Sequence, residues 1–74
     1  MILKVFRSKR CKKCKEIGPW VLKNRERYDR IYYFDIEEAE GMGEATLFNV
    51  MSVPTLIEIK NSSEINRFNL EGEL

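Results

Sequence analysis

Apolar residues along the chain fall into four short runs and two helix-like stretches. Ile2 to Phe6 is a compact run of strand formers that stops at Arg7-Ser8-Lys9-Arg10, which predicts a first strand and then a polar loop carrying Cys11. From about Lys12 to Tyr28, the apolar positions Cys14, Ile17, Val21 and Tyr28 recur at spacings of three, four and seven, which is one face of a helix. Pro19 lies inside that window; it removes a backbone donor and crowds the carbonyl of Lys15, so a kink near Gly18 is expected. Ile31 to Ile36 is dense in aromatic and branched residues and too short for a buried helix, so it reads as a second strand. Asp35, Glu37 and Glu38 suit a helix N-terminus, where carboxylates complement exposed amides. The helix expected over about Glu38 to Phe48 is weakened by Gly41 and Gly43, each costing about 1 kcal/mol relative to alanine. Thr55 to Lys60 and Glu64 to Asn69 are strand-like runs joined by Asn61-Ser62-Ser63, a hairpin turn. The order β-α-β-α-β-β makes a parallel pair and then an antiparallel hairpin, predicting a four-stranded mixed sheet in one α/β domain over residues 1–74.

Composition narrows the setting. A 74-residue domain removes only about 60% of its unfolded surface from water, so the core must be thin. Apolar residues make up 43% of the chain, yet no stretch of about 18 of them occurs that could span a membrane. Met1 to Phe6 runs straight into Arg7, Lys9 and Arg10 without the long apolar segment and cleavage site of a secretory signal, so a cytoplasmic location is expected. The net charge of +1 hides an asymmetry: residues 1–30 hold eleven Lys/Arg against three Asp/Glu, and residues 31–74 hold two against nine. Such segregation is either a solvated surface or a device that steers an acidic partner toward the N-terminal end. A nucleic-acid partner is not expected, because no basic excess survives over the whole domain.

Chemistry concentrates at Cys11-Lys12-Lys13-Cys14, where the first strand hands over to a helix. If Cys14 lies in the first turn, both sulfurs come to one side, with backbones close enough for the roughly 4.4–6.8 Å window of a disulfide. Sulfur at a helix start also feels unpaired amides, and thiol pKa values in C-x-x-C motifs fall from about 8.5 to between about 3.5 and 7.5. Cys11, loop-borne and more N-terminal, is the natural nucleophile, and Arg10, Lys12 and Lys13 beside the pair favour thiolate. Seven Lys/Arg occur in the first 15 positions, with no acid before Glu16. A thiolate exists only in the reduced form, so stabilising it makes the pair a stronger oxidant, by about 30 mV per tenfold change in equilibrium constant. The alternatives at this motif are a structural disulfide, half of a metal site shared by two chains, or two incidental buried cysteines. With no histidine and no third cysteine, one chain cannot complete a tetrahedral zinc site, so no metal is assigned.

With Pro19 five residues after Cys14, Val53-Pro54-Thr55 before a strand, and Lys60-Asn61 at a hairpin turn, the chain resembles the thioredoxin and glutaredoxin superfamily over about Ile2 to Asn69. The resemblance implies a cis Val53–Pro54 bond lying against the disulfide. Proline has no backbone donor, so Val53, Pro54 and Thr55 would receive an extended substrate as a short added strand. It also implies a thiol-disulfide oxidoreductase in which Cys11 attacks and Cys14 resolves, with no bound cofactor beyond the redox-active disulfide. Electron donors of the family are a flavin-dependent, thioredoxin-reductase-like enzyme or glutathione; protein disulfides such as those of ribonucleotide reductase are its substrates, in electron transport and cell redox homeostasis.

The sequence departs from the family in several places. Arg10, Lys12 and Lys13 replace the usual Trp before the pair and the Gly-Pro or Pro-Tyr within it. Val5 stands six residues before Cys11, where thioredoxins place a buried aspartate. After Asn69 a final helix is missing or truncated, and Gly72 aligns with the glycine that follows the last strand. Part of one sheet face would then be bare, which suggests a homodimer or docked partner, with Trp20 and Met51 lining the surface. The rival reading is a non-catalytic thioredoxin-like binding module or redox sensor, in which the two cysteines report redox state or share a metal across a dimer.

Overall fold

The structure is a computed structural model and describes residues 1–70; Gly72 lies outside the described residues. Six regular elements follow the expected order. They are β1 (Ile2–Arg7), α1 (Ile17–Asn24), β2 (Arg30–Asp35), α2 (Ala39–Leu47), β3 (Thr55–Lys60) and β4 (Ser63–Phe68). The strands form one sheet in the order β2-β1-β3-β4. β1 runs parallel to β2, pairing Leu3 with Ile31 and Val5 with Tyr33, and antiparallel to β3, pairing Leu3 with Glu58 and Phe6 with Thr55. The hairpin turn sits at Asn61 and Ser62, both with positive φ (53° and 66°), the conformation that lets a two-residue turn follow the right-handed twist of its strands.

Strand alternation sends alternate side chains to opposite faces, and each face carries its own core. Under α1, Leu3, Val5 and Leu56 pack with Ile17, Val21, Tyr28 and Leu70, and Cys14, Trp20 and Phe68 lie against them. Under α2, Phe6, Ile57 and Ile59 pack with Ala45, joined by Phe34, Phe48 and Val53. Lys4 falls on this second face, where Nζ reaches Glu44 at 2.7 Å and lies 4.7 Å from the centre of the Phe48 ring. The charge is thus paired and its stem covers aromatic surface.

Two local expectations are corrected. The segment from Lys12 to Tyr28 is not one kinked helix. It divides into a 3-10 turn at Lys13–Glu16, the α-helix Ile17–Asn24 and a second 3-10 turn at Arg25–Arg27. Pro19 is the third residue of α1, where its absent N–H would have no intrahelical acceptor, so it opens a helix instead of bending one. Gly41, expected to weaken α2, is required by packing: a Cβ there would stand 1.9 Å from the Asp35 carbonyl oxygen, whereas one on Gly43 meets nothing within 4 Å. The carboxyl end of β2 and α2 can approach this closely only without a side chain at Gly41.

One buried polar cluster had no signal in hydropathy. Glu58, on β3, is 4% exposed on the α1 face; it accepts from the Tyr28 hydroxyl, from Arg27 at 3.1 Å and from Asn66 at 3.3 Å. Burial, and then the hydrogen bond to Glu58, push the Tyr28 hydroxyl well above its ordinary 10.0. The folded chain therefore holds that proton above pH 10, where the unfolded chain releases it. Stability from this site is complete below pH 10 and falls as pH rises further. Urea unfolding from pH 8 to pH 11 should show this alkaline loss, and Tyr28→Phe should flatten it.

Candidate functional site

β1 ends at Arg7 on one end of the sheet, and the chain turns there through Ser8 to Lys12. The Cys11 N–H donates to the Ser8 carbonyl at 3.1 Å, and the Cys14 N–H to the Cys11 carbonyl at 3.4 Å. Two consecutive turns of this kind bring the cysteines back on each other, with Cα atoms 5.3 Å apart and the sulfurs bonded. The Cys14 N–H also points at Cys11 Sγ, 3.1 Å away, a donor that would stabilise a thiolate at Cys11 once the bond is opened. Both cysteines are partly exposed, and Cys14 is the one packed against the α1-side core. The site therefore has an outer and an inner sulfur, although Cys14 sits in a 3-10 turn ahead of α1.

The second part of the site comes from β3. Because Phe6 pairs with Thr55, the chain entering β3 passes beside the chain leaving β1, and Val53, Pro54 and Thr55 share the disulfide's end of the sheet. The Val53–Pro54 peptide is cis. Pro54 is buried, Thr55 is 8% exposed, and its hydroxyl donates to the Ser52 carbonyl at 2.7 Å. This contact holds the segment in a tight bend.

Arg7, Lys9, Arg10, Lys12, Lys13 and Lys15 are all exposed, and Arg10, Lys12 and Lys13 adjoin the cysteines in the chain. Arg10 is partly engaged: its guanidinium lies 3.4 Å from Glu37, and the Ser8 hydroxyl donates to the same carboxylate at 2.5 Å. Arg7 is stacked over the Tyr33 ring at 4.5 Å. The Glu37 link, which ties the cysteine loop to the β2–α2 connection, escaped sequence reading because it joins residues 29 positions apart. Among the described residues no group of three or more His, Cys, Asp or Glu side chains could hold a metal ion. No helix among them is long and apolar enough to cross a membrane.

No protein-family model matches the sequence, and no curated protein matches it. Solved structures do. Thioredoxin O2 from Arabidopsis thaliana, in its oxidised state, is 27% identical with a TM-score of 0.80, covering 92% of this chain and 61% of that one. Thioredoxin 1 from Thermosipho africanus is 28% identical with a TM-score of 0.78, covering 92% and 75%. A Schistosoma mansoni thioredoxin is 27% identical with a TM-score of 0.74, covering 92% and 64%. The chain thus spans between 61% and 75% of the length of these three. With this strand order, and with a C-x-x-C disulfide leaving the strand beside a proline-opened neighbour, the chain is a member of the thioredoxin-like superfamily.

Proposed function

We propose that the protein is a thiol-disulfide oxidoreductase that reduces or exchanges disulfides of protein substrates. The observation that carries this reading is the Cys11–Cys14 disulfide itself, held at one end of the sheet with both cysteines partly exposed and Cys14 packed against the α1-side core. In the reduced protein the Cys11 thiolate attacks one sulfur of a substrate disulfide. A Cys11–substrate bond forms, the substrate bond breaks, and one substrate thiolate departs with the electron pair. Cys14, as thiolate, then attacks Cys11 Sγ, the internal disulfide closes, and the second substrate thiolate leaves. Two electrons pass to the substrate and its thiolates take up two protons. A reductase or glutathione must return two electrons to the pair.

Val53 fits the role of substrate contact. It precedes the cis Pro54 at the end of the sheet where β1 leads into the cysteines, and a following proline offers no N–H that would compete for an incoming strand. The cations at Arg10, Lys12 and Lys13 favour the thiolate of Cys11. They also favour acidic residues next to the substrate disulfide, or the carboxylates of glutathione, through charge attraction that salt weakens. The experiment is insulin reduction by dithiothreitol. The protein should shorten the lag before insulin precipitates, and Cys11→Ser should return the lag to that of dithiothreitol alone. A non-catalytic binding module would show no acceleration in either form.

A further inference from the structure

The two edges of the sheet are treated differently. β4 is interrupted by an irregular register between Glu58 and Ile59 and carries Glu64 and Arg67, which pair with each other at 2.7 Å. Bulges and charges of this kind are how edge strands avoid pairing with other chains. β2 has neither device. Its sequence is Arg-Ile-Tyr-Tyr-Phe-Asp, charged only at its ends, with Tyr32 41% and Tyr33 42% exposed and its register to β1 unbroken. No described strand pairs with its outer edge.

The ladder shows which backbone groups that edge offers. The Ile36 N–H donates to the Arg7 carbonyl, so even-numbered residues of β2 bond inward to β1. Ile31 and Tyr33 therefore aim their N–H and C=O groups outward. Asp35 also faces outward, but its carbonyl already accepts from the Glu38 N–H at 3.0 Å. Besides the Asp35 N–H, the edge thus presents four groups, on Ile31 and Tyr33.

We propose that β2 is the self-association surface of this protein, pairing antiparallel with β2 of a second copy about a two-fold axis through Tyr32. A two-fold axis reverses strand direction and is perpendicular to the sheet, so each residue must meet one on its own face. Centring on Tyr32 places Ile31 opposite Tyr33 of the partner subunit, and Tyr33 opposite Ile31 of the partner subunit. The four groups of Ile31 and Tyr33 on each copy are then used, in two hydrogen-bonded pairs. Centring on Tyr33 would oppose Ile31 to an Asp35 whose carbonyl is occupied, and leave an apolar side chain against a carboxylate.

Side chains agree with this register. On the α1 face, Ile31 meets a tyrosine ring at each end of the seam. On the α2 face, the two copies of Tyr32 meet at the axis, and Arg30 lies across from Phe34 of the partner subunit. Phe34 lines a recess with Lys4, Glu40 and Glu44; Lys4 already pairs with Glu44 at 2.7 Å and lies 5.7 Å from the centre of the Phe34 ring, so the carboxylate offered to the incoming arginine is that of Glu40. The result is a closed dimer with one continuous eight-stranded sheet, ended on both sides by the guarded β4 edges. Because the strands are antiparallel, the two disulfides face opposite ends of that sheet and both stay open.

The test is the solution mass of the full chain over a dilution series by sedimentation equilibrium, with cysteine crosslinking to fix the register. The mass should approach twice that of the monomer as concentration rises. Tyr32→Lys, which opposes two cations at the axis, should stay monomeric with an unchanged circular-dichroism spectrum and full insulin reduction. In a Cys11→Ser, Cys14→Ser background, Tyr32→Cys should oxidise to a covalent dimer, because directly opposed residues of a non-hydrogen-bonded pair stand about 4.5 Å apart. Tyr33→Cys should not, since its copies stand diagonally at about 7–8 Å, beyond disulfide reach. A protein that remains monomeric throughout would overturn the proposal, as would a dimer that survives Tyr32→Lys or one that crosslinks equally through Tyr33.

Discussion

Cys14→Ser should turn the protein from a catalyst into a trap. The variant keeps Cys11, the nucleophile of the proposed cycle, and so still attacks a substrate disulfide. It has lost the thiol whose Cα stands 5.3 Å away and which closes the cycle. Release then depends on an external thiol meeting the mixed disulfide by diffusion, whereas a well-oriented internal group acts at an effective concentration that reaches ~10⁵ M. Against millimolar thiol that figure corresponds to a slowing of up to ~10⁸-fold, and resolution should slow by at least about 10³-fold. Mass spectrometry under non-reducing conditions should find substrate bound to Cys11, and dithiothreitol should release it. Cys11→Ser should capture nothing. If the two variants trap equally, the assignment of the outer sulfur as nucleophile is wrong.

Phe6→Ala should cost the domain a large part of its stability. Phe6 is fully buried, with its ring stacked on Phe34 at 5.4 Å and tilted against Phe48 at 6.3 Å. Removing a buried aromatic costs about 3–5 kcal/mol, because the cavity closes only in part. A chain of this length has about 4–11 kcal/mol of total stability at ~0.05–0.15 kcal/mol per residue. The loss is thus between about a quarter and all of that total. Leu47, 71% exposed on α2, is the control: Leu47→Ala should change stability by less than about 0.5 kcal/mol. Chemical denaturation followed by circular dichroism reads both.

Much of the candidate site was legible because its residues are neighbours in the chain. The C-x-x-C spacing sets a local turn whatever the rest of the fold does, and Pro54 before an apolar run marks a strand entry through its own backbone chemistry. The charge around the pair was equally visible, since six cations within nine positions cannot avoid one another. Glu58 was harder to see. The only clue is an acid interrupting the otherwise apolar run Leu56 to Ile59, and its partners come from two other places in the chain, Arg27-Tyr28 and Asn66.

The sequence by itself determined the order of strands and helices and the spacing that lets Cys11 and Cys14 pair, because periodicity, turn residues and motif spacing act over a few residues. Tertiary structure decided the rest. It divided the long helical segment into a 3-10 turn, a short helix and a second turn, since the start of α1 has to pack Ile17 on the sheet while the disulfide holds Cys14 to Cys11. It made Gly41 a packing requirement, gave Glu58 its partners, linked Glu37 to the cysteine loop, and left β2 as an unguarded edge. Each of these depends on which distant residues the sheet register brings face to face. Hydropathy along a chain carries no record of register, because many pairings satisfy the same alternation until close packing and buried hydrogen bonds select one.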